Sequence, residues 1–103
     1  MAYVPAGRKA SDVPPGTLKI AMVLGTFVLL ANVDGEIYAT SNLCPHAGAA
    51  LNYGRLDGPE VECALHGAVF NVTGGEVIVG PAPYGLDTYP VKVEDGEVLV
   101  DLG

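Results

Sequence analysis

The chain has 103 residues, five Lys and Arg against twelve Asp and Glu, a net charge of −7, and an apolar half. That is enough for one domain with a modest core and too apolar for disorder. Five scattered basic residues argue against a nucleic-acid partner, because phosphate contacts need clustered Lys and Arg. Met1 to Ala10 lacks the apolar core of a signal peptide. The longest apolar stretch, Ile20 to Val33, is interrupted by Gly25, Thr26 and Asn32, and at fourteen residues it falls short of the ~20 that a membrane helix needs. It reads instead as two buried strands.

Taken in order, Tyr3–Pro5 reads as a short first strand, and Ser11-Asp12-Val13-Pro14-Pro15-Gly16 as a helical turn followed by a loop. Thr17–Val23, Thr26–Val33 and Glu36–Thr40 read as three strands, the last two joined by Asp34-Gly35, a strong hairpin signal. Glu60–Cys63, Ala68–Val72 and Glu76–Val79 form a second set, with turns at Asp57-Gly58 and Gly74-Gly75. Leu86–Glu94 and Glu97–Asp101 close the chain through Asp95-Gly96. No run has a helical period, and there is no repeat or linker. Short strands at these intervals with fourteen glycines predict an all-β sandwich or barrel, with residues 1–103 as a single domain.

Within that pattern Cys44, His46, Cys63 and His66 stand apart. They read C-x-H, sixteen residues, then C-x-x-H, and they are the only cysteines and histidines in the chain. The economical reading is one metal centre, with both clips in loops between strands. A structural zinc site usually joins a C-x(2–4)-C clip to an H-x(3–5)-H clip. Here each clip supplies one thiolate and one imidazole, which suits a centre with two different metals, one taking both sulfurs and one both nitrogens. A Rieske [2Fe–2S] cluster is built in that way; a tetrahedral Cys2His2 zinc-binding interaction module is the alternative. Two cysteines could also form a disulfide in a secreted protein, but their shared motif favours ligation, and a reducing cytoplasmic compartment fits free thiolates.

The flanking residues resemble the Rieske family. Cys44-Pro45-His46-Ala47-Gly48 and Cys63-Ala64-Leu65-His66-Gly67 resemble its two cluster loops. Val69-Phe70-Asn71 with Thr73-Gly74-Gly75 resembles the strand and turn after the second loop, and Gly80-Pro81-Ala82-Pro83 the proline loop that covers the cluster. The resemblance runs from about Leu43 to Pro83. It implies a β-sandwich base carrying a two-loop cluster-binding subdomain, about residues 42–83, and one [2Fe–2S] cluster held by Cys44, His46, Cys63 and His66. Gly48 and Gly67 are then positions where backbone N–H groups approach the cluster.

Larger Rieske oxygenases add a mononuclear iron held by two His and a carboxylate; with both histidines in the clips, none is left for it. The residue types also offer no His or Cys to activate a nucleophile. One-electron transfer, rather than catalysis, is the function that remains. High-potential members of the family carry a disulfide between the loops and a Ser and a Tyr that donate to sulfur; the matching positions here are Ala49, Leu65, Ala68 and Phe70. The resemblance therefore points to low-potential ferredoxins that shuttle electrons from a flavoprotein reductase to the terminal oxygenase of an aromatic-ring-hydroxylating dioxygenase system. The small Rieske-like subunit of an assimilatory nitrite reductase is the alternative within electron transfer. The expected carrier is a monomer with no membrane partner. It would dock through an uncharged tip formed by the two clips and Pro81-Ala82-Pro83, with carboxylates such as Asp57, Glu60, Glu62, Glu94, Asp95 and Glu97 placed elsewhere to steer the encounter. Tyr53 and Tyr84 are weaker candidates to flank the cluster and are more readily read as core or surface packing, while Asn52 and Arg55, near the first loop, read equally as docking or solvated residues.

Overall fold

The computed structural model describes residues 2–45, 48–65, 67–80 and 82–103. Among the described residues eleven strands succeed one another: β1 (Val4–Lys9), β2 (Leu18–Val23), β3 (Thr26–Val33), β4 (Glu36–Ser41), β5 (Arg55–Asp57), β6 (Glu60–Glu62), β7 (Val69–Asn71), β8 (Val77–Val79), β9 (Thr88–Tyr89), β10 (Val91–Glu94) and β11 (Glu97–Val100). They form three antiparallel sheets, ordered β1-β11-β10, β2-β3-β4-β9 and β5-β6-β7-β8. Short 3₁₀ turns occupy Ala10–Asp12 and Leu51–Tyr53. The architecture is thus the predicted all-β one.

Tight turns set the registers. Leu24-Gly25, Asp34-Gly35 and Asp95-Gly96 all have positive φ at both residues, the backbone twist that a two-residue hairpin prefers. They close β2–β3, β3–β4 and β10–β11 with Val23 facing Thr26, Val33 facing Glu36, and Glu94 facing Glu97. The turn expected at Asp57-Gly58 lies one residue later. Asp57 faces Glu60 as the last pair of a hairpin, so Gly58-Pro59 turns, with Gly58 at positive φ. The strand before it, β5, has only three residues and no alternating apolar pattern, so the sequence did not advertise it.

The first two sheets enclose one core, made by Ala6, Ala21, Val23, Val28, Leu30, Ala39, Val98 and Val100 together with Val13. Strand β3 supplies Val28 and Leu30 to it. Its intervening residues, Leu29 and Ala31, face the opposite way into a second core with Val61, Phe70 and Val72 of the third sheet and its margin. This explains the unbroken apolar run Val28 to Ala31: side chains alternate between faces, and here both faces are buried. Strand β2 has only one buried face, and Met22 between Ala21 and Val23 is exposed.

The predicted strand Leu86–Glu94 is divided. Thr88-Tyr89 pairs with Ala39-Thr40 of β4, whereas Val91–Glu94 pairs with β11 in the other sheet. Pro90 sits at the switch, where a residue without an N–H donor ends a ladder. Upstream, the 82–87 segment is strapped at its end: the Ser41 N–H donates to the Asp87 carbonyl at 2.9 Å and the Asp87 N–H to Ser41 Oγ at 3.2 Å.

Gly75 makes the crossing between this segment and the β7–β8 turn. Its carbonyl accepts the Leu86 N–H at 2.7 Å, its φ is +84°, and a Cβ there would overlap the Leu86 carbonyl oxygen. Gly25 has a similar φ of +79° with open space around the missing Cβ. Gly25→Ala should therefore cost only the backbone strain, about 1 kcal/mol. Gly75→Ala should cost more, about 3 kcal/mol, because a backbone crossing must also separate. Urea midpoints at constant slope measure both; equal losses would show that the crossing yields freely.

Candidate metal centre

The two clips lie where two strands end. Cys44 follows β4 by three residues, and Cys63 follows β6 directly. Each cysteine opens the same local structure. The Cys44 N–H donates to the Ala49 carbonyl at 2.8 Å, and the Gly48 N–H donates back to the Cys44 carbonyl at 2.7 Å. In the second loop the Cys63 N–H donates to the Ala68 carbonyl at 2.8 Å, and the Gly67 N–H to the Cys63 carbonyl at 3.1 Å. The offsets, five and four residues, are identical, so the two loops are closed by the same pair of backbone bonds. Gly48 and Gly67 have φ of +67° and +74°. A Cβ at Gly48 would meet nothing within 4 Å, so glycine is required there by its left-handed backbone rather than by crowding.

Both thiols are free and buried, each 1% exposed. They share one core with Leu29, Leu51, Ala68, Phe70 and Leu86, although they start from loops nineteen positions apart. Loop convergence is enforced at their bases. A Cβ on Gly54 would overlap the Glu62 carbonyl oxygen, so the chain leaving the first loop presses on the backbone one residue before Cys63. His46, Ala47, His66 and Pro81 lie outside the described residues, so of the four predicted ligands the structure brings together the two thiols.

The donor set fits an iron–sulfur group. Two unpaired, buried thiols of one apolar cluster, on loops closed by matching bonds, are the ligands that a [2Fe–2S] core takes on one iron. Two positions that could tune such a group are apolar and fully buried: Ala68 and Phe70, each 0% exposed. Around the loops, shallow hollows of about 330 Å³ open on either side. One runs from Cys44, Pro45 and Gly48 to Tyr84 and Asp87, the other from Cys63, Ala64 and Gly67 to Tyr53, Arg55 and Glu62. Tyr84 and Tyr53 thus stand one beside each cysteine loop, exposed rather than packed.

Leu65, Gly48 and Pro83 are exposed, so the described part of the predicted tip is open and uncharged. The carboxylates are less remote than the sequence suggested. Glu62 carries a 3.3 Å ion pair to Arg55, its partner across β5–β6, and its Oε2 is 3.7 Å from where a Gly67 Cβ would lie. Asp87 edges the other hollow. It also acts on Tyr89, whose phenol is held above its ordinary pKa first by burial and then by the Asp87 charge. Asn52, read from the sequence as either a docking or a solvated loop residue, is hydrogen-bonded to Asn42, a buried polar side chain that no motif marks.

Comparison with known proteins agrees with this chemistry. Residues 4–90 match the family model for the Rieske [2Fe-2S] domain. The ferredoxin component of the naphthalene 1,2-dioxygenase system of Pseudomonas putida is 42% identical over 92 residues, 89% of this chain and 88% of that protein. The Sphingomonas yanoikuyae B1 ferredoxin superposes with a TM-score of 0.91 at 32% identity, covering 99% of this chain and 100% of that one. A chain in the complex of reduced oxygenase and oxidized ferredoxin in carbazole 1,9a-dioxygenase superposes with a TM-score of 0.88 at 35% identity, over 95% of this chain and 91% of that chain. With its fold, its paired cysteine loops and its relatives in agreement, the chain belongs to the Rieske [2Fe–2S] family.

Proposed function

We propose that this protein is a low-potential, one-electron carrier that takes electrons from a flavoprotein reductase and delivers them to the terminal oxygenase of an aromatic-ring-hydroxylating system. The observation that carries the reading is the pair of buried, free cysteines on identically bonded loops. Relatives that are ferredoxin components of dioxygenase systems support the same role. The single domain, with its cluster-binding part at about residues 42–83, would hold one cluster through Cys44, His46, Cys63 and His66. It would act as a cytoplasmic monomer. Among the described residues no helix is long and apolar enough to cross a membrane.

When bound, the [2Fe–2S] group supplies reversible one-electron exchange; the chain supplies the setting. Cys44 and Cys63 would hold the group through thiolates that start from the core shared with Leu29, Leu51 and Phe70, apolar side chains that limit access of water. The absence of hydroxyl donors at Ala68 and Phe70 leaves electron density on sulfur and disfavours the reduced form. Exposed Leu65 and Pro83 offer apolar contact to a partner, and the acidic surface steers the encounter. A fleeting transfer complex needs only a small interface, under about 1,200 Å².

Three measurements test this reading. Purified protein should show Rieske-type optical and EPR spectra, and His66→Cys should change both and lower the midpoint, since a thiolate donates more strongly than an imidazole; an unchanged EPR spectrum would remove His66 from the ligand set. The wild-type midpoint should lie near about −150 mV, at the low end of the Rieske range. Ala68→Ser with Phe70→Tyr should raise it, whereas a wild-type midpoint above zero would mean that other donors dominate. Finally, Leu65→Asp should lower the rate of electron delivery to the oxygenase by about tenfold at every salt concentration. Glu60→Lys should instead alter the salt dependence of that rate, and a rate indifferent to Leu65→Asp would move the docking site off the tip.

A further inference from the structure

The two cysteine loops are alike in their own hydrogen bonds and unlike in what holds their necks. The second rises from a regular ladder in which Glu62, Val61 and Glu60 of β6 face Val69, Phe70 and Asn71 of β7. The first has a strand on its entry side only. β4 ends at Ser41, and the chain leaving the loop pairs back only through a single isolated bridge before it coils into the 3₁₀ turn Leu51–Tyr53. Asn42 occupies this gap. Its carbonyl accepts the Leu51 N–H at 2.6 Å, its side-chain Oδ1 accepts the Asn52 N–H at 3.1 Å, and its Nδ2 donates to Asn52 Oδ1 at 2.9 Å. Above this neck come the isolated bridge of Leu43 to Ala50 and then the Cys44–Ala49 bond.

We propose that Asn42 is a positioning residue for Cys44. Through its paired bonds to Asn52, the side chain extends the single bridge at the neck and sets where the first thiolate stands relative to Cys63. The chemistry requires an amide. Only a group with both a donor and an acceptor can close the two bonds at once; aspartate lacks the donor and alanine lacks both. The Asn42 side chain is itself shielded, at 3% exposed, although a hollow borders it and Asn52, so truncation removes both bonds from a largely buried position. Thiolate placement governs overlap with the iron, and hence the spectrum and the potential. The inference rests on Cys44 being a cluster ligand.

A buried asparagine of the base provides the control. Asn32 is 5% exposed, donates from Nδ2 to the Val13 carbonyl at 2.7 Å and accepts the Gly35 N–H at 2.7 Å. It fastens loops of the sandwich and contributes nothing to either cysteine loop. In holo-protein, Asn42→Ala and Asn52→Ala should shift the midpoint and broaden or displace the EPR lines, Asn42→Ala by more. Asn32→Ala should lower the unfolding midpoint in urea while leaving the EPR spectrum and the potential as in wild type. Asn52 is only partly buried, so its variant keeps the test open if Asn42→Ala does not accumulate. EPR lines and potentials unchanged in both neck variants, or perturbed as much by Asn32→Ala, would overturn the positioning role. A wild-type protein with no Rieske EPR signal would overturn the cluster reading instead, so the two failures are distinguishable.

Discussion

Burial of β3 on both faces ties the cysteine loops to the rest of the molecule. Val28 and Leu30 pack into the sandwich and Leu29 and Ala31 into the layer that contains Cys44 and Cys63. One strand therefore belongs to two cores, and neither sheet can shift without disturbing the other. Interiors packed at crystal-like density transmit displacement rather than absorb it. For an electron carrier this rigidity has a use: a site that hardly rearranges when its charge changes has little reorganisation to undergo with each transfer.

The paired loops show how a short sequence makes a two-sulfur site. Each needs a cysteine whose N–H is tied to a carbonyl five residues on, and a glycine whose left-handed backbone returns an N–H to the cysteine. Such a unit is local and can be repeated at any strand end. What differs is its footing. The second loop inherits a ladder from β6 and β7, while the first borrows side-chain bonds from Asn42 and Asn52 and pressure from Gly54 against the Glu62 backbone. Side-chain bonds in a buried setting serve this purpose because an unmet partner there is expensive.

Charge and apolar exposure are divided within a small surface. Twelve carboxylates against five basic side chains surround a tip whose described residues carry no charge. The division is not complete, since Glu62 and Asp87 border the hollows beside the loops. Arg55 pairs with Glu62 in an exposed bridge, worth little to stability in water but able to moderate the negative field on that side.

Most of the strands, the Asp34-Gly35 and Asp95-Gly96 turns and the clip spacing of the four candidate ligands were legible from the residues alone, because each rests on local chemistry. Alternating apolar residues mark strands, Asp-Gly pairs mark tight turns, and cysteine with histidine at short spacing marks a metal clip. The apolar run of β3 was legible as buried, but not as shared between two cores. Three features were hidden for one reason: their partners are distant in the chain. The short strand β5 exists only because β6 pairs with it and the Gly58-Pro59 turn closes it. The division at Pro90 appears only when Thr88-Tyr89 meets β4 and Val91–Glu94 meets β11. Asn42 is an ordinary loop asparagine until Asn52 and Leu51 are folded against it. Composition and spacing determined which chemistry this chain carries; tertiary packing decided how the two thiols meet and what holds them there, because hydrogen bonds and burial between distant segments leave no periodic trace in the sequence.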